Sequence, residues 1–158
     1  MKIAVIGSGP RAAGIASLLT GGGYEVTLAD ESAGDVPYEV VTGSEVIVFA
    51  SPREQVDDLV LKVGRILPET IVIDATEGET AEGESGAESM ARKLDSHRVV
   101  RASIHRPEPN SNILLAADDP DVMTVVEEIF RKCGCVTTDR GTLVNAAEIE
   151  ARPAGVTG

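Results

Sequence analysis

Gly7, Gly9, Ala12 and Asp30 are the residues of this chain whose types and spacing could do chemistry. The run Gly7-Ser8-Gly9-Pro10-Arg11-Ala12 has the form of a turn that receives a diphosphate on main-chain N–H groups. Gly7 would permit the tight turn, and Gly9 would let the backbone approach the ligand with no Cβ in the way. Ala12 stands where a small residue allows a helix to pack close to a strand. Pro10 lacks one donor but has the φ of a first helical turn. Asp30, at the next strand's end, would accept hydrogen bonds from a ribose 2′-hydroxyl and repel a 2′-phosphate, with Glu31 adding to the repulsion. NAD is thereby favoured over NADP. Arg11 is the nearby cation: it lies along the diphosphate or in solvent, or else folds back to take a 2′-phosphate.

Proton chemistry has one candidate. His105 follows a strand end on the side where a substrate would sit, and an imidazole titrates near neutrality. A solvated loop histidine beside Arg106 is the plainer reading. His97 precedes a strand, at the edge remote from chemistry. Neither histidine has partners at metal-ligand spacing, so no metal site is expected. Cys133 and Cys135 are the two cysteines of the chain; bridging them would demand strained geometry, and packing near a helix end is favoured over a redox or metal role.

The elements that must position these groups are legible as apolar runs of strand length at 3–6, 25–29, 46–50, 70–74, 98–102, 113–116 and 136–138. Helical patterns lie between most of them. Ile15, Leu18 and Leu19 mark the first, stopped by Gly21-Gly22-Gly23. Val56, Leu59, Val60 and Val63 mark a second ended by Pro68, and 88–94 a third. Asp118-Asp119-Pro120 reads as an N-cap, Val122, Val125, Val126 and Ile129 as one apolar face, and Gly134 as a stop. This alternation predicts an α/β fold: a doubly wound, mostly parallel sheet in three αβα layers, in a single domain over 1–151. One link is short. Only seven residues separate Asp30 from Tyr38, whereas a parallel crossover takes about a dozen or more. The helix after the second strand is therefore expected to be missing or reduced to a loop, either as a harmless trim or at a cost in adenosine contacts. The tail 152–158 is expected to be disordered.

Bulk properties narrow the function classes. The chain has 158 residues, no Trp and a formal net charge of −12. Such a field repels phosphate backbones and acidic membranes, which excludes nucleic acid as an expected partner. No apolar stretch reaches the length of a membrane span and no signal peptide is read, so a cytoplasmic location is expected.

Taken together, the stretch 3–12, Ser44-Glu45-Val46-Ile47-Val48-Phe49-Ala50-Ser51-Pro52, Ile71-Val72-Ile73-Asp74-Ala75-Thr76 and Val99-Val100-Arg101-Ala102 resemble the coenzyme F-420-dependent NADP oxidoreductase family. Asp139-Arg140-Gly141-Thr142-Leu143-Val144-Asn145-Ala146 is similar to that family's closing segment. The resemblance implies a Rossmann sheet of eight strands, with a nicotinamide cofactor across their carboxyl ends and a deazaflavin against the nicotinamide. It implies that Gly7, Ser8, Gly9, Pro10, Arg11 and Ala12 hold the pyrophosphate and that Ser51 and Pro52 border the ribose and nicotinamide. Thr76 and the segment 102–105 would line the second-substrate side. The chain departs from the family at Asp30 and Glu31, and in the acidic stretch 77–84, which would repel a polyanionic coenzyme.

The function expected is hydride transfer between NAD or NADP and a small acceptor, of deazaflavin or of carbonyl or imine type, by a homodimer. Two alternatives stay open: a non-catalytic dinucleotide-binding or redox-sensing module, and a cofactor domain that needs a partner chain.

Overall fold

A computed structural model describes residues 1–30, 36–64, 66–77 and 85–150. Within them, seven strands form one sheet: β1 (Lys2–Ile6), β2 (Glu25–Ala29), β3 (Val46–Phe49), β4 (Ile71–Asp74), β5 (Val99–Ser103), β6 (Asn112–Ala117) and β7 (Val136–Asp139). Their order across the sheet is β2-β1-β3-β4-β5-β6-β7. The helices are α1 (Gly9–Gly21), α2 (Tyr38–Gly43), α3 (Val56–Val63), α4 (Gly86–Leu94), α5 (Pro120–Lys132) and α6 (Ala146–Glu150).

Strands covered on both faces read as continuous apolar runs, and β1, β3 and β4 do so up to their ends. Ile3, Val5, Val46 and Val48 face the layer of α1 and α5, where Ile15, Leu19, Val122, Val126 and Phe130 meet them. Ala4, Ile6, Ile47 and Phe49 face the opposite layer, built from Val41, Leu59, Met90 and Ile149 of α2, α3, α4 and α6. The three-layer doubly wound fold is thus the observed one. Ser85 and Glu88 cap α4 reciprocally, and Asp119 caps α5 by accepting from Asp121 N at 2.9 Å; such caps contribute about 1 kcal/mol each. Gly134, at φ +85°, ends α5 as expected.

Three expectations need correction. The helix after β2 is neither missing nor reduced to a loop: the shortened crossover keeps the six-residue α2. The sheet has seven strands among the described residues rather than the eight implied by the resemblance. The mostly parallel sheet is as expected: β6 pairs antiparallel with β5, since the link 104–111 is shorter than the roughly dozen residues a parallel crossover requires. α3 stops at Val63 because Gly64 turns at φ +70°, ahead of Pro68. Glu31, the acidic stretch 78–84 and the tail 152–158 lie outside the described residues. Among the described residues no helix is long and apolar enough to cross a membrane.

Candidate functional site

After β2 the chain crosses to the other side of β1 to form β3, which makes the carboxyl ends of β1 and β3 the switch point, where open α/β sheets form the crevice that takes ligands. The turn after β1 borders it. Gly7 N donates to Ala29 O at 3.1 Å, which ties the turn to the end of β2 just before Asp30. A Cβ on Gly7 would stand 3.1 Å from both Ala12 Cβ and the Ala50 carbonyl, so any larger residue there would press α1 away from the sheet by a few tenths of an ångström. Gly9 is different. Its φ is +88°, and a Cβ on it would meet no atom within 4 Å.

The helix that follows begins bare. Ser8 is the N-cap of α1 in extended backbone, yet its hydroxyl makes no capping bond, and the first turn carries no acid. Every other described α-helix has an acid in its first turn: Glu39, Asp57 and Asp58, Glu88, Asp121 and Glu148. The opening amides of α1 keep their positive end of the helix dipole unopposed. A negative group is therefore favoured at this point, and Gly9 leaves room for it. These features fit a dinucleotide's diphosphate.

The floor beside this turn is an ionic cluster that the sequence reading missed. Asp74, at the end of β4, has no solvent exposure. Its carboxylate accepts from Arg53 Nη2 at 2.9 Å, Thr76 Oγ1 at 2.6 Å and Thr76 N at 3.1 Å, and pairs with Arg101 Nη1 at 3.4 Å. The same Arg101 nitrogen donates to Thr76 O at 2.7 Å. Burial would by itself raise the Asp74 pKa, but Arg101, Arg53 and the Thr76 bonds outweigh it and hold the carboxyl below its ordinary value. Arg53 lies against Gly86 so closely that a Cβ there would clash with its guanidinium. A signal for this cluster was available: Arg101 interrupts the otherwise apolar β5, and a buried arginine needs a carboxylate.

Each expected site residue has a definite place. Arg11 lies neither in solvent nor folded toward Asp30. Its Nε is 2.9 Å from Glu77 Oε1, and Nη2 donates to Ile104 O at 3.0 Å, so the side chain spans from α1 to the ends of β4 and β5. Burial lowers its pKa, with Glu77 acting in the opposite direction. Ser51 is 1% exposed and its Oγ has no hydrogen-bond partner among the described residues. Pro52 is exposed and bridges to Glu77. Thr76 is buried, and its hydroxyl is turned inward to Asp74. In the segment 102–105, Ala102 and Ile104 are core residues, Ser103 donates to Ile149 O at 2.8 Å, and only His105 is exposed. Asp30 is exposed beside the turn. His97 lines a depression with Tyr38, Ile66 and Leu94 at the amino edge of the sheet. Cys133 and Cys135 are free and buried; burial, with the neighbouring Cys135, pushes the Cys133 thiol up to about 11. Among the described residues, no group of His, Cys, Asp and Glu could hold a metal ion.

The architecture is a Rossmann-like doubly wound fold, and comparison with solved structures agrees. The chain is similar to hypothetical protein SMa0349 of Sinorhizobium meliloti, with TM-score 0.78 and 19% identity over 98% of this chain and 92% of that one. It is similar to an imine reductase of Myxococcus stipitatus solved in complex with NAD+, with TM-score 0.75 and 17% identity over 95% of this chain and 58% of the reductase. Likeness to Mycobacterium tuberculosis 3-hydroxyisobutyrate dehydrogenase gives TM-score 0.71 and 16% identity, over 95% and 57% of the two chains. In sequence, it is 27% identical to metalloreductase STEAP3 of Rattus norvegicus in a 176-residue alignment that covers 96% of this chain. The chain spans 36% of the length of that relative. No family model matches.

Proposed function

We propose that the chain binds a nicotinamide dinucleotide on the turn 7–12 and acts as an NAD(P)-dependent oxidoreductase toward a small acceptor. The observation that carries this reading is the bare start of α1 above the open space at Gly9. The amides that follow Gly9 would hold the diphosphate, and Asp30 would accept from the ribose 2′-hydroxyl, so NAD is favoured. The buried, unpartnered Ser51 hydroxyl is a donor available to the ribose or nicotinamide amide. When bound, the nicotinamide supplies a carbon that gives or takes hydride.

The protein's own contribution is then mainly placement. The ionic cluster at Asp74 makes the ends of β4 and β5 a fixed floor, and a fixed floor preserves the short approach that hydride transfer needs. For a carbonyl or imine acceptor, an imidazole nitrogen of exposed His105 would hold the proton delivered to the acceptor's heteroatom. The names of the imine reductase and of 3-hydroxyisobutyrate dehydrogenase are consistent with such an acceptor. Deazaflavin coenzyme F-420, implied by the family resemblance, is the other acceptor type to try. Calorimetric titration with NADH and NADPH side by side tests the reading. Saturable binding with NADH the tighter supports it, and failure of both to bind overturns it.

A further inference from the structure

Arg11 belongs to the diphosphate turn by its main chain but not by its side chain. The guanidinium reaches away from β2 and Asp30, across the crevice, to Glu77 after β4 and the Ile104 carbonyl after β5. It is held there at 19% exposure, and its Nη1 is buried without a hydrogen-bond partner among the described residues. Glu77 is much the more exposed member, at 47%. Its backbone is fixed, since Glu77 N donates to Ser51 O at 3.3 Å, so only its side chain need move to release the arginine. The next residue after Ile104 is His105, the proton-holding candidate.

A guanidinium kept largely out of water requires an anion, and here a carboxylate of the chain itself supplies it. The slot is therefore one that accepts a carboxylate. Glu77 is the half-exposed member, so its carboxylate can turn into water as an outside carboxylate takes its place, and the buried guanidinium stays paired throughout. Its position at the β4 and β5 ends also puts the slot on the acceptor side of the crevice rather than the adenosine side.

Building on the dinucleotide reading above, we infer that Arg11 is the anchor for a carboxylate borne by the acceptor, and that Glu77 occupies the anchor until the acceptor arrives. The substrate class is a small carbonyl or imine compound carrying a carboxylate, which Arg11 holds by that group with the reducible carbon toward His105.

The test uses the NADH-loaded full chain, with the fluorescence of bound NADH as readout and succinate, its neutral diamide and inorganic phosphate as probes. NADH affinity is measured first on every protein. Succinate is expected to bind saturably and the diamide not at all. Glu77→Gln removes the internal competitor and should tighten succinate about two- to fivefold, with NADH affinity unchanged. Arg11→Gln should weaken succinate about tenfold or more, and Arg11→Lys should recover part of the loss. NADH binding with no succinate response in either the unaltered protein or Glu77→Gln overturns the inference and leaves the dinucleotide reading standing. Equal succinate affinity in Arg11→Gln overturns it too, as does phosphate binding that matches succinate and competes with NADH. Absence of NADH binding to the unaltered protein refutes the dinucleotide reading itself.

Discussion

Gly9 and Gly23 form a matched pair that separates ligand binding from backbone strain. Gly9 has φ +88° and Gly23 φ +92°, and a Cβ on either would meet no atom within 4 Å. They flank the two ends of α1, but only Gly9 lies on the diphosphate turn. An L residue in a left-handed conformation costs about 1–2 kcal/mol, while replacing glycine by alanine returns about 0.4–1 kcal/mol through the unfolded chain. Each single alanine should thus destabilise by about 1 kcal/mol, a fall in Tm of about 2–4 °C for a chain of this size. The effect on NADH should differ sharply. In Gly9→Ala the new methyl enters the open space the diphosphate needs, and affinity should fall at least about tenfold, or 1.4 kcal/mol. Gly23→Ala should bind NADH as the unaltered protein does. Thermal unfolding and calorimetric titration of the three proteins provide the readout. The reasoning fails if Gly9→Ala keeps its affinity, or if both variants lose it to the same extent.

Asp30→Ala should weaken NADH about tenfold while leaving NADPH unchanged or tighter, again by calorimetry; an unchanged preference would remove Asp30 from the ribose. Asp74→Asn takes the carboxylate from Arg101, which is 4% exposed, and should cost about 3–5 kcal/mol in denaturant unfolding. Because the folded pKa of Asp74 lies below its unfolded value, its contribution is present above about pH 4 and is lost as pH falls through the lower folded value. The unaltered protein should therefore lose stability in acid more steeply than Asp74→Asn, and parallel profiles would contradict the cluster. Cys133, buried and pushed up to about 11, should resist iodoacetamide in the native state at pH 8 and react on unfolding. Since its folded pKa is the higher one, its contribution is intact below about pH 8.5 and is lost as pH rises toward the folded value; rapid native labelling would refute this placement.

The first thirty residues were readable because each signal there is local: an apolar run, a turn and a helix stop. The cap at Asp119 and the stop at Gly134 were legible for the same reason. What sequence missed is long-range. Asp74 and Arg101 are 27 positions apart, and Asp74 and Arg53 are 21 apart; only the parallel pairing of β3, β4 and β5 brings them together. Taken singly, each is an ordinary charge near a strand end. Arg11 was misjudged because periodicity fixes where a helix begins but not how far a long side chain reaches. The antiparallel β6 was different, since the short link 104–111 already excluded a parallel crossover.

The division of polar groups along the carboxyl edge also argues for a ligand. At the ends of β4 and β5, the carboxylate of Asp74 and the hydroxyls of Thr76 and Ser103 all have partners within the protein. At the turn after β1, Ser8 is a residue type that caps helices well, placed at the N-cap, and it makes no capping bond. Turning that hydroxyl onto the first turn would stabilise the chain by about 1 kcal/mol, as comparable caps do at α4 and α5. Stability alone gives no reason to cap those two helices and leave α1 open. Amides kept for an outside anion do, because such an anion would take the place of both the missing cap and the missing first-turn acid.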